Sequence, residues 1–117
     1  MENYSKEFVH ELSRRLLIES NKEPNRELCR NLLHRKISGE ILTISRLDKA
    51  TLETLFIKEL CTDAMVGALF GVNNRKIREL RESQGLTDDK IIELHTLYIA
   101  ASISSELEHE LGDRAFG

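Results

Sequence analysis

Thr62-Asp63-Ala64-Met65-Val66-Gly67-Ala68-Leu69-Phe70-Gly71-Val72-Asn73-Asn74-Arg75-Lys76-Ile77-Arg78-Glu79-Leu80-Arg81-Glu82-Ser83-Gln84 decides the fold of this chain. Its apolar positions, Val66, Phe70, Val72, Ile77 and Leu80, fit two crossing amphipathic helices better than one, because the spacing resets around Gly71. A glycine just past a helix takes the left-handed conformation that closes the last turn, where a side chain costs roughly 1 kcal/mol or more. Gly67, on the inner face of the first helix, reads as a small residue that lets the second helix approach closely. Thr62 is placed to cap the first helix, with Asp63 at the positive end of its dipole, and Asn73 to cap the second. Gly85 and Leu86 then suit a Schellman ending.

Gly67 and Gly71, four apart and flanked by Val66, Phe70, Val72, Ile77 and Leu80, give 47–86 a pattern that resembles the DNA-binding helix-turn-helix family. The likeness is to the trihelical form of sigma-factor region four, resolvase-type proteins and many phage and bacterial regulators. It departs from that family at the small position, usually alanine and here Gly67, which should loosen the first helix by up to about 1 kcal/mol. The resemblance implies a second helix that enters the major groove of double-stranded DNA and reads it through side chains near its N-terminus.

The chemistry of the polar face assigns roles within that expectation. Asn74, Arg75 and Arg78 are the candidates for base edges, since asparagine pairs bidentately with adenine and arginine with guanine, and Glu79 is placed to accept from a cytosine amine. Lys76 and Arg81, further round the helix, are assigned to phosphates. With the caps Thr62 and Asn73 they complete the candidate DNA-binding set. The plainer alternative is a solvated helix laced by the four-apart pairs Arg75/Glu79 and Arg78/Glu82.

Charge distribution tempers this reading. The chain has a net charge of -3, but 1–85 carries fifteen Lys and Arg against thirteen Asp and Glu, and 86–117 two against seven. The motif-bearing part is therefore mildly basic at +2 and the tail acidic at -5. Such a weak excess predicts modest, salt-sensitive binding by one copy, and tight binding by two copies on adjacent half-sites.

The remaining sequence predicts an all-α chain of 117 residues with one proline: an N-terminal helical segment (1–44), the helix-turn-helix unit (45–86) and a C-terminal helix (87–117). A first helix over about 5–20 would turn Phe8, Val9, Leu12, Leu16 and Leu17 inward. Pro24 marks the start of a second, with Leu28, Cys29, Leu32, Leu33 and Ile37 inward until Gly39. Its basic face, Arg26, Arg30, Arg35 and Lys36, reads as a solvated surface in preference to a phosphate contact. After a connector at 41–44, Asp48 or Ser45 caps a helix through Glu59 with Leu52, Leu55 and Phe56 inside. From Thr87 to about Leu111 a long helix carries two apolar stripes. Ile91, Leu94, Leu97, Tyr98 and Ala101 suit the chain's own core, and Ile99, Ile103, Leu107 and Leu111 suit the matching helix of a homodimer. Residues 113–117 read as frayed.

Other chemistries find no support. His10, His34, His95 and His109 lie on separate segments without metal-ligand spacing, and Cys29 and Cys61 read as buried free thiols, so neither metal nor cofactor is expected. Ser102, Ser104 and Ser105 have no glycine elbow or organised base, and no phosphate loop occurs, so the expectation is a binding protein and not an enzyme. The first apolar cluster is interrupted by Glu7, His10, Glu11, Arg14 and Arg15, and no stretch approaches the length of a membrane span, so a cytoplasmic protein is expected. The acidic tail and low overall charge favour a rival partner, another protein, with the helix pair as an adaptor or inhibitor scaffold, and the resemblance to sigma-factor region four implies a third, RNA polymerase, with the chain as a sigma-like accessory subunit.

Overall fold

The computed structural model describes residues 3–117 and is all-α. Its helices are α1 (Lys6–Ser20), α2 (Glu27–Ile37), α3 (Lys49–Glu53), α4 (Asp63–Phe70), α5 (Asn74–Ser83) and the long C-terminal α6 (Asp88–Leu111). Among the described residues no strand forms, only an isolated antiparallel bridge between Tyr4 and Phe116. The backbone divides into two compact units, Pro24–His95 and a second made of 3–23 with Thr96–Gly117.

The 24–95 unit is built on Leu52, Leu55, Phe56, Val66, Phe70 and Ile77, all buried, with Cys29, Leu32, Leu42, Leu47 and Leu86 around them. Asp48 is the cap chosen for α3: its carboxylate accepts from Thr51 N at 2.8 Å, and the Thr51 side chain, together with that N–H, holds its pKa below the usual range. The helix does not run uniformly to Glu59 as expected. It widens into a π-helical turn over Thr54–Lys58, where Glu59 N reaches back to Thr54 O, and Leu60 follows at φ 47°, a left-handed conformation costly for a branched side chain.

That distortion places Glu59, 4% exposed, at the start of α2. Its carboxylate accepts from Leu28 N at 3.0 Å and Cys29 N at 3.1 Å, so the cap of α2 comes from 30 residues away. This is why α2 begins at Glu27 and not at Pro24: Arg26, the local cap position, makes no side-chain cap bond. Only part of the expected apolar face of α2 is inside, for Leu33 and Ile37 are exposed.

The unit formed by the chain's two ends has a smaller core, Phe8, Leu107 and Ala115, with Leu12 and Leu111 packed on it. Ser5 caps α1 by accepting from Phe8 N at 3.1 Å, and its hydroxyl donates to Arg114 O at 2.6 Å. Tyr4 stacks on Phe8 with ring centroids 4.1 Å apart and on Phe116 at 5.6 Å. The tail is therefore not frayed: Gly112–Ala115 forms a 3-10 turn, and Ser5 N and Gly117 N bond to Ala115 O and Asn3 O, each at 2.9 Å. Val9 and Leu17, expected inside, lie exposed, because this small core takes one narrow stripe of α1.

The second stripe of α6 is corrected in the same way. Ile103 and Leu107 are buried, Leu107 completely, and Leu107 with the half-buried Leu111 packs in the cluster of Phe8 and Ala115 of its own chain, so these side chains are not free for a second copy. Ile99 is half-buried. On the first stripe Ile91 and Leu94 pack on the 24–95 core, while Leu97 and Tyr98 are exposed. The two stripes do serve two cores, and both belong to the chain itself.

Candidate nucleic-acid interface

Local chemistry sets the geometry of α4, the turn and α5. Thr62 Oγ1 accepts from Met65 N at 3.2 Å to start α4, and Asn73 Oδ1 accepts from Lys76 N at 2.9 Å to start α5. Gly71 sits at φ 68°, ψ 30°, and Val72 N returns to Gly67 O at 3.0 Å, closing α4 with a left-handed cap. A Cβ on Gly67 would lie 2.6 Å from Val72 O. The obstacle that demands glycine is thus the carbonyl of the turn, not the body of the second helix, and even alanine there displaces the turn. At the far end Leu86 N bonds to Arg81 O and Gly85 N to Glu82 O, each at 2.9 Å, forming the Schellman ending.

Lys36, grouped with the solvated basic face of α2, instead finishes α4. Its ammonium donates to Ala68 O and, at 3.2 Å, to Leu69 O, two of the carbonyls left open by the end of the helix. Arg35 pairs with Glu40 at 2.5 Å and Arg30 donates to Asn25 at 2.7 Å. The cations of α2 are largely engaged with the chain.

Across α5, Ile77 is fully buried and Leu80 half-buried, and the residues opposite them face out. Asn74, Arg75, Lys76, Arg78, Glu79 and the cap Asn73 are exposed, as is Thr62. Arg75 and Glu79 form the expected four-apart pair at 3.6 Å, with Arg75 87% exposed. Arg78 does not pair with Glu82; its Nε lies 3.6 Å from Asp63 Oδ2.

Arg81 is the clear correction. Its position on α5 predicts a phosphate contact, yet it is 2% exposed. At about 100° per residue it falls beside Ile77, on the inward flank. Its Nε donates to Asp63 Oδ1 at 2.8 Å, Nη2 to Asp63 Oδ2 at 3.1 Å and to Asp88 Oδ1 at 2.5 Å, and Nη1 to Leu86 O at 2.8 Å. The guanidinium carbon also lies 5.7 Å from the centre of the Phe56 ring. Asp63 holds it more firmly protonated, against the opposing effect of burial. One side chain thus ties the start of α4, the end of α5 and the start of α6 together, and it is spent on structure.

Asp63 carries more than the dipole role its position predicts, and the capping role of Glu59 has no local sequence signal, since its partners lie 30 and 31 residues away. Asp63 and Arg81 are 18 residues apart, a separation with no periodic signature. A cleft of about 270 Å³ opens beside this network, lined by Phe56, Thr62, Arg81 and Ile91 among others. The polar groups of Thr62 and Arg81 are already bonded within the protein. Cys29 and Cys61 are buried free thiols, and burial together with the Cys29 thiol beside it pushes Cys61 up to about 12. Among the described residues no His, Cys, Asp and Glu group could hold a metal ion, and no helix is long and apolar enough to cross a membrane. Comparison with protein-family models, curated proteins and solved structures finds no match to this chain.

Proposed function

We propose that this is a sequence-specific double-stranded DNA-binding protein of the helix-turn-helix kind, a cytoplasmic transcription regulator of bacterial or phage type that acts by binding and not by catalysis. In this reading α5 lies in the major groove, Asn74, Arg75 and Arg78 meet base edges, Glu79 meets a cytosine amine, and Lys76 meets phosphate. The carrying observation is that Asn74, Arg75, Lys76 and Arg78 are all exposed on one short helix whose opposite side is locked by Ile77 and Arg81. A rigid helix with an uncovered polar face presents its donors at fixed spacing, which is what base reading requires. The weak basic excess favours two copies on adjacent half-sites, with their contact away from Ile103 and Leu107.

Selection from a random duplex pool at near-physiological salt tests this, with an Arg75/Arg78 double-alanine variant as control. The expected result is an enriched palindrome with the parent protein and none with the variant. Arg75→Ala or Arg78→Ala should cost about 1 to 3 kcal/mol and relax the sequence preference, whereas Lys76→Ala should weaken all sequences alike. No enrichment from folded protein would overturn the reading in favour of a protein partner. One observation favours that second reading: Leu33 and Ile37, four apart on α2, are 47% and 74% exposed, and neighbouring exposed apolar side chains offer a contact surface.

A further inference from the structure

The two outward arginines of α5 are held in different ways. Arg75 pairs with Glu79 at 3.6 Å, and the two side chains are 87% and 64% exposed, so neither end of that pair is fixed. Arg78 lies against Asp63, whose side chain is 14% exposed and held through both oxygens by Arg81, at 2.8 and 3.1 Å. Arg81 is itself fixed by Leu86 O at 2.8 Å and Asp88 at 2.5 Å. The two pairs have the same 3.6 Å separation and Arg78 is itself 60% exposed, so what distinguishes Arg78 is that the carboxylate it meets is held at its other side.

We propose that Asp63 is a positioning residue that holds Arg78 for guanine, making Arg78 the specificity-determining arginine of α5; this rests on the DNA-binding reading above. The ion pair engages Arg78 through Nε, 3.6 Å from Asp63 Oδ2, and leaves the Nη1 and Nη2 edge of the planar fork. Two parallel donors match the O6 and N7 acceptors that only guanine presents together in the major groove. An arginine held before binding loses less freedom on docking, so its contact discriminates more sharply than one from a mobile side chain. Arg75, without an anchor, then adds affinity with weaker base preference.

Site selection followed by competition between single-base variants of the selected site tests the proposal. The parent protein should prefer guanine at one position by about tenfold or more. Arg78→Lys, which keeps the charge and loses the fork, should abolish that preference while retaining non-specific affinity. Asp63→Asn should reduce it to about threefold or less, and should change nothing further in an Arg78→Ala background. A purely structural role for Asp63 would instead lower affinity equally in both backgrounds. Because Asp63→Asn also disturbs Arg81 and endangers folding, nitrogen-15 relaxation of the arginine Nε–H groups in the unaltered protein provides the second reading, with Arg78 expected to be more ordered than Arg75. Equal mobility of the two, or a guanine preference untouched by Asp63→Asn, would overturn the proposal and leave DNA binding standing. Failure to enrich any sequence would overturn both.

Discussion

The 24–95 unit encloses thirteen buried core side chains, whereas the unit made from the chain's two ends encloses Phe8, Leu107 and Ala115. The first adds a buried carboxylate capping a helix and a buried arginine joining three helix ends. The second relies on aromatic stacking of Tyr4, Phe8 and Phe116 and on exposed ion pairs such as Arg15 with Glu110. Buried apolar area is the larger and more dependable source of stability, while exposed pairs contribute roughly 0 to 1 kcal/mol. The proposed reader helix thus stands in the better-built unit, where its angle is fixed, and the ends form the part expected to open first.

The sharpest way to break this contrast is Arg81→Ala. It leaves Asp63 without its bidentate partner and Leu86 O without its donor, and removing one partner of a buried pair costs about 3 to 5 kcal/mol. Denaturant unfolding should show that loss, with amide exchange rising over α4 and α5. A cost below about 1 kcal/mol, the range of an exposed pair, would mean that the network does not hold these helices.

Phe8→Ala should strike the other unit and spare the first. Truncating a buried phenylalanine costs about 3 kcal/mol or more, enough to open a unit whose core cluster has three buried residues. Amides of α1 and of 96–111 should then exchange faster while those of 63–83 keep their protection. Equal loss of protection across both units would show that they unfold as one and would remove the contrast.

These cases also mark what the sequence carries. Thr62, Asn73, Gly71, Gly85 and Leu86 were legible because a cap or a left-handed turn is decided within a few residues, and each behaves as its local chemistry demands. Leu52, Leu55 and Phe56 were legible as an inward face. Glu59, Arg81, Ile103 and Leu107 were not, because their roles depend on partners distant in sequence. A charged residue with no four-apart partner reads as solvent-facing until a carboxylate 18 positions away is seen to enclose it. An apolar stripe on α6 reads the same whether it meets α1 or another chain. At the candidate interface the outward residues of α5 follow from periodicity, while the inward turn of Arg81 and the anchoring of Arg78 do not.

Acid should separate the two units by a smaller margin. In the end unit, hydrogen bonds from Arg14 and Arg15 hold Glu11 down at about 2, and Arg15 also lowers Glu110. A carboxylate whose folded pKa is depressed contributes stability that is fully present above its unfolded value and is lost as pH falls towards the folded one. For Glu11 that window runs from its ordinary 4.5 down to about 2. Asp48 and Glu40 in the 24–95 unit are also lowered, by Thr51 and Arg35 respectively, so both units weaken in the same direction. The end unit has less buried apolar surface to offset the loss, so protection of α1 should decline before that of α5 as pH falls below 4.5, and added salt should shrink the effect because these pairs are solvent-exposed. A carbon-13 titration of the Glu11 carboxyl reads its midpoint directly, and a value near 4.5 would show that its pairs with Arg14 and Arg15 do not persist in solution and that the end unit rests on its small core and its aromatic stacking.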